Sequence, residues 1–449
     1  MAGGIPSASL LENARFNALV IVPNAVQGIF RRRRAPVAAA TRLNVEGHAR
    51  GLLAGMARSY GGGPVWVRVM TDRALLLLSP TDAHRALAGS PDPFASDPEA
   101  KRKGMAAFQP DALTISRGEL WRNRRRFTEE VLDTGRPLHR LADRFAAVAA
   151  EEADALLGEV EVADRPALDW DAWHRALRRL TRRIVLGDRA RDDERVSEEL
   201  GEMMSEANGM PGKPSDRYPA FVAELQGYLE DAEPGSLVSL CAEAPADEQT
   251  RVAGQLPHWL FAMQDTLAIN AFRALALIAS HPRQRARVLG ELDAAGVAEE
   301  AGAESIAGLA YLDACLEEAM RIWPTTPMLS RETVAETDWR GTTVPAGTQV
   351  LISNTLFHRD RERHPWADRF APERWVDGDA AGDWSFNHFS RGPQGCPGAG
   401  LVKFVGRALL GAVLTRRRVE LTSPALDPER PLPDMLDFFG LRFALAREP

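Results

Sequence analysis

The chain has 449 residues, 45% of them hydrophobic and 26% charged, with a formal net charge of −7. That describes an ordinary globular protein with room to bury a cofactor, and it removes any general electrostatic case for nucleic acid as a partner. Cys241, Cys315 and Cys396 lie far apart without CxxC spacing, so neither a disulfide scaffold nor a zinc site is indicated and a reducing, cytoplasmic setting fits.

In chain order, the apolar stretch 16–30 is broken by Asn17, Pro23, Asn24 and Gln27, too short and interrupted to span a bilayer. Its run Arg31 to Arg34 follows the apolar part, which argues against a signal peptide. A surface-packed N-terminal helix is the favoured reading, and a contact with anionic membrane is the other. Residues 41–60 predict a helix, 65–70 and 74–78 two strands, and 81–87 a further helix. Segment 88–116, rich in Pro, Asp, Ser and Gly, predicts a long loop of a kind that often carries function. Within a predicted helix over 118–132, Trp121 and Arg125 share a face. An indole N–H beside a guanidinium suits a carboxylate, while a solvated basic helix is the plainer account.

Helices are predicted over 141–157, 170–186 and 218–232, with a looser stretch at 207–219. The longest apolar helix is predicted over 248–280, with Pro257 as a kink or as the true start. It sets Asp265 and Thr266 side by side among apolar residues, where a buried acid needs a partner. A helix over 309–322 places Glu318 and Arg321 three apart, and strands follow in 338–353. Residues 389–398 gather three glycines and two prolines around Cys396, just before a helix over 399–414. A rigid loop at a helix N-terminus can present a thiolate to a metal; a buried free thiol is the other outcome. No repeat and no Gly/Ser linker interrupts the chain, so a single domain over 1–449 is expected.

Taken together, the ordered set resembles the cytochrome P450 family over essentially the whole chain. Phe389, Gly392, Cys396 and Gly398 match its haem-binding loop, F-x-x-G-x-x-x-C-x-G, and Glu318 to Arg321 match its E-x-x-R helix. Pro372-Glu373-Arg374-Trp375 matches the P-E-R-F/W element, Ala262 to Thr266 the oxygen-binding helix, and Trp121 with Arg125 the W-x-x-x-R helix. The resemblance implies a mainly α fold with small β-sheets, and a long helix over haem b. It assigns Cys396 as axial ligand of the iron. Trp121, Arg125 and Arg331 become holders of the propionates, with Phe389, Gly392, Gln394, Gly398 and Ala262 beside the cofactor. Glu318, Arg321 and Arg374 become a structural triad, and Asp265 with Thr266 the proton relay to oxygen. Met105, Phe108, Met210, Met263, Met328, Leu329 and Phe438 become the substrate pocket.

Two positions depart from the pattern. Gln394 stands where the family usually carries His or Arg, leaving more of the propionate charge to Arg125 and Arg331. Met263 stands where a glycine is usual and adds bulk beside the oxygen site. By resemblance the expected function is a soluble, monomeric, bacterial-type monooxygenase of natural-product biosynthesis. It would oxidise a small or medium-sized apolar molecule with O2 and electrons from a separate ferredoxin and ferredoxin reductase. The chain stops at Pro449 soon after the haem loop, which fits a separate donor docking on Arg122, Arg124, Lys403 and Arg407. A peroxide-using or rearranging P450, or a non-catalytic haem partner, are the rival readings, and the retained Asp265-Thr266 pair weighs against both.

Overall fold

The computed structural model describes residues 4–163, 166–209, 212–300 and 302–446. Helices carry most of the chain, and three small sheets complete it. In the five-stranded sheet the order is Val65–Val69, Asp72–Leu77, Gln349–Ser353, Met328–Thr333 and Phe94–Ala95. The first two strands form a hairpin through Met70 at φ +54°. The second pairs in parallel with Gln349–Ser353, a junction that needs a long crossover. Ala74 to Leu77 are buried on both faces of the sheet, as their unbroken apolar run requires.

The long helix begins at Leu256 with Pro257 in its first turn, so the proline marks a start and not a kink. It runs through Leu256–Phe261, a π-helical turn at Ala262–Leu267 and Ala268–Ser280, and Pro282 follows its end. The indole of Trp173 donates to Ala268 O at 2.9 Å, a bond that fastens the π turn to the Trp170–Leu186 helix. The helices Ala142–Glu161, Trp170–Leu186, Ala310–Ile322 and Ala399–Arg416 pack with the long helix into one large apolar core. A second core lies under the five-stranded sheet.

Some expectations need correction. Residues 41–60 are not one helix, because Asn44 at φ +47° separates Arg34–Arg42 from Val45–Ser59. The loop 88–116 contains a short helix, Glu99–Met105. The helix Glu194–Ala207, which buries Val196, Leu200, Met203 and Met204, lies within the stretch 136–245 that reads as mostly helical, although it is not one of the helices bounded there. Among the described residues no helix is long and apolar enough to cross a membrane.

Candidate haem-thiolate site

The cysteine loop is held by its own backbone. Cys396 N–H donates to Phe389 O at 2.8 Å and Gly395 N–H to Gly392 O at 2.9 Å. Gly392 has φ +74°, and a Cβ there would lie 2.1 Å from Leu87 O, so only glycine fits. Arg125 Nη1 donates to Gly395 O at 2.6 Å and Thr134 Oγ1 to Pro397 O at 2.8 Å, tying the loop to the Gly118–Val131 helix and the residues after it. Cys396 retains accessible surface although protein surrounds it, as a side chain opening into an interior space does. Burial pushes its thiol up, and the Gly398 N–H and the Arg125 guanidinium pull it back. Cys241 and Cys315 are both buried, and burial pushes Cys241 up to about 12 and Cys315 well above its usual value. Those two are inert thiols.

The π turn of the long helix has one open side. Ala262, Asp265 and Thr266 keep accessible surface, whereas Met263, Gln264 and Leu267 are buried. Asp265 Oδ1 lies 3.1 Å from His174 Nε2, and Gln264 Nε2 donates to Oδ2 at 3.3 Å. His174 is itself stacked on Trp170, with ring centroids 4.9 Å apart. Among the described residues the Thr266 hydroxyl has no hydrogen-bond partner. It is free to serve a molecule bound beside it.

On the strand Met328–Thr333, Arg331 is buried without an acidic partner. Its guanidinium donates to Ser90 Oγ at 3.0 Å, Ser390 Oγ at 2.7 Å and Ser330 O at 3.0 Å. Burial lowers it to about 10. Lys101 lies near it, donating to Thr114 Oγ1 at 2.7 Å and Ser96 O at 3.1 Å. Burial, then repulsion from Arg331, lowers this lysine to about 7. Gln394 Oε1 accepts from the N–H of the same Ser96 at 2.8 Å. The indole N–H of Trp121 has no partner among the described residues, and Arg125 sits 6.0 Å from its ring.

Buried Arg331 and half-buried Lys101, neither in an ion pair among the described residues, form an anion site of the kind that carboxylates of a cofactor would satisfy. Among the described residues no three His, Cys, Asp or Glu side chains gather into a metal-holding group. A metal at Cys396 therefore takes its remaining ligands from a cofactor, and a porphyrin with two propionates fits this donor set. Lys101 was not anticipated. Its only signal in the sequence was membership of the long loop 88–116.

Glu318 and Arg321 are fully buried and locked together, at 2.7 and 2.8 Å. Arg321 spends its other N–H groups on His358 O, Ala367 O and Arg369 O. Arg374 does not join them. It is exposed and pairs with Asp379, while Trp375 Nε1 donates to Glu318 Oε2 at 2.8 Å and Ala371 N–H to Oε1 at 3.0 Å. The loop turns the indole inward, and an indole satisfies the carboxylate without burying another charge.

Of the expected pocket residues, Met105, Met328 and Leu329 are half-buried, and Phe108 lies between Phe30 and Phe261, at 5.4 and 5.6 Å. Met263 faces the main core and not the open side of the helix, a correction to its expected place beside oxygen. Phe438 is buried against Trp170, 4.5 Å between centroids. Met210 lies outside the described residues. The expected docking cations also need correction. Arg124 is buried and bonded to Ser116, Lys403 is paired with Asp313 and Glu317, and Arg407 donates to Ala307 O. Only Arg122 stays exposed, and it is paired with Glu119.

The fold and site fit a haem-binding protein, and comparison with known proteins agrees. The family model for cytochrome P450 matches residues 242–438. Cyclooctat-9-en-7-ol 5-monooxygenase of Streptomyces melanosporofaciens is 28% identical over 331 residues, 67% of this chain and 69% of that protein. A cytochrome P450 monooxygenase of Aspergillus fumigatus is 30% identical over 220 residues, 45% of this chain but only 40% of that protein. A retinoic acid-bound cyanobacterial P450 superposes with a TM-score of 0.71 at 18% identity, covering 88% of this chain and 93% of its own. A zebrafish cytochrome P450 determined with abiraterone gives 0.69 at 20% identity, covering 89% and 99%. Over residues 242–438 and in its fold the chain is similar to the cytochrome P450 family, the haem-binding oxidoreductases.

Proposed function

We propose that this protein is a monooxygenase that oxidises a small or medium-sized, largely apolar molecule, in natural-product biosynthesis in the cytoplasm, with electrons from a separate ferredoxin and its reductase. The observation that carries the reading is the open side of the π turn, which offers the Thr266 hydroxyl unpaired beside an Asp265 carboxylate held by His174. When bound, haem with a Cys396 thiolate ligand supplies O2 activation and favours O–O cleavage. Arg331, Lys101, Arg125 and Trp121 would hold its propionates. Gln394 holds the Ser96 N–H and Lys101 the Ser96 carbonyl, so the lysine would supply the charge that position 394 lacks.

Thr266 would donate its hydroxyl hydrogen to the oxygen side, and Asp265 would replace that proton from solvent. His174 fixes the Asp265 carboxylate through one oxygen, leaving the other to the weaker bond from Gln264. Half-buried Leu329 and Met105 and the aromatic edge of Phe108 would offer an apolar surface to the substrate. The Streptomyces relative, whose name gives a cyclic alcohol as its substrate, supports a hydrocarbon-rich molecule of that kind. Purified protein supplied with ferredoxin, ferredoxin reductase, NADPH and a substrate panel should consume O2 and release an oxygenated product. Turnover with hydrogen peroxide alone would select the peroxide-using reading, and no turnover with either would select the non-catalytic one.

A further inference from the structure

A largely apolar chamber of about 70 Å³ with four charged side chains in its wall lies beside Phe438, outside the cofactor set described above. On the same measure one water needs roughly 10–15 Å³, so the space admits a carboxylate or a few waters. Its charged lining is Arg32, Glu46, Arg273 and Asp434, and its wall also holds Ile269, Pro327 and Phe438, the last of them one of the expected substrate-pocket residues. Arg273 stands on the long helix seven residues after Thr266, with Ile269 between them on the same stripe. At 1.5 Å per residue that separation is about 10 Å along one face.

Glu46 attracts Arg32 and Asp437 attracts Arg273, but neither acid closes to an ion pair with its arginine. Arg273 donates to Trp323 O at 2.8 Å and Leu436 O at 3.2 Å, and its Nε is buried without a partner. Arg32 reaches only Thr325 O, at 3.4 Å, and neither arginine makes an ion pair among the described residues. Asp434 is taken by Arg50 and by Asn44 at 3.2 Å, and Asp437 accepts the Phe439 N–H at 3.0 Å. Burial pushes Glu46 and Asp437 toward their neutral forms, and it lowers Arg273 to about 9 with help from Arg32. The guanidinium of Arg273 also lies 5.5 Å from the Phe438 ring, at the apolar wall of the chamber.

We propose that this chamber binds the carboxylate end of an otherwise apolar substrate, gripped by Arg273 and Arg32 while its hydrocarbon part runs past Ile269 and Phe438 toward Thr266. The inference rests on the monooxygenase reading and narrows its substrate class to amphipathic acids. The long helix then acts as a ruler, with the anionic end fixed about 10 Å along it from the oxygen-side hydroxyl.

The test titrates the haem-loaded protein with dodecanoic acid, methyl dodecanoate, dodecanol, abietic acid and methyl abietate, by calorimetry and by the optical shift of the haem. At least one acid should bind at least tenfold more tightly than its neutral counterpart. Arg273→Gln and Arg32→Gln should each cut that acid-to-ester ratio at least tenfold, and Arg273→Lys should restore part of it. Equal affinity, an ester preference, a ratio that survives both glutamine variants, or no binding by any acid would overturn the proposal. A ferrous–CO spectrum of the same samples separates the two failures. A thiolate band without acid preference refutes the chamber alone, and a missing band refutes the haem reading.

Discussion

Gln394 shows how one side chain can matter for what it accepts and not for the charge it lacks. Its carbonyl oxygen holds the Ser96 N–H, while Lys101, fastened to the carbonyl of that residue, brings a cation into the same corner. Gln394→Arg restores the usual residue type but removes the acceptor, leaving a half-buried N–H unpaired at a cost of about 1 kcal/mol. Haem transfer to apomyoglobin should therefore be faster from this variant than from the parent; slower transfer would show that charge at 394 is what the loop wants. At the oxygen side, Thr266→Ala should lower product formed per O2 consumed by about a hundredfold or more, with haem content unchanged. His174→Phe should give a smaller loss together with an altered pH profile of kcat, because it releases Asp265 without removing it. Neither His174 nor Lys101 was legible in the sequence. His174 meets Asp265 across 91 positions, and no local spacing announces such a contact. Cys396, Asp265, Thr266, Glu318 and Arg321 were legible because each sits in a short motif.

Among the elements, the 310–322 helix organises the side of the fold that carries the cysteine. Its Glu318 receives four hydrogen bonds, from Arg321 twice, Trp375 and Ala371. Trp375→Phe should cost about 1–3 kcal/mol in urea unfolding by leaving the carboxylate one donor short. Arg374→Ala, at an exposed position, should change stability by under about 0.5 kcal/mol. The P-E-R-W motif located this contact correctly but not its donor, since the direction of a loop side chain is set by tertiary packing. One residue earlier, Glu317 faces His388 and Lys403. Burial raises its pKa, yet the contacts with His388 and Lys403 overcome that and hold it at about 2, below the ordinary 4.5. Its contribution is complete above about pH 4.5 and is lost as pH falls toward 2. Acid titration followed by tryptophan fluorescence should show this loss in the parent, and Glu317→Gln should flatten it. The Trp170–Leu186 helix was readable with its bounds from apolar period alone, whereas Glu194–Ala207 was legible only as part of a mostly helical stretch, because its acidic outer face blurs its ends.

Across the whole molecule, charge is spent inside more than its sequence suggests. Arginines that looked like a basic docking face are buried or paired, so a redox partner would meet a surface whose cations are largely neutralised. Salt should then affect the rate of electron delivery only weakly, a result stopped-flow reduction at two ionic strengths can read. The family-level architecture was legible from motif order, since a cysteine loop, an E-x-x-R helix and an acid–alcohol turn in sequence admit few folds. The chamber beside Phe438 was not, because Arg32, Glu46 and Arg273 come from distant parts of the chain. The central claim is that Cys396 presents a thiolate to haem iron, and the ferrous–CO difference spectrum tests it most directly. The parent should give the strongly red-shifted band of a thiolate-ligated complex, and Cys396→Ser should lose it. A parent without that band, or a serine variant that keeps it, would contradict the account.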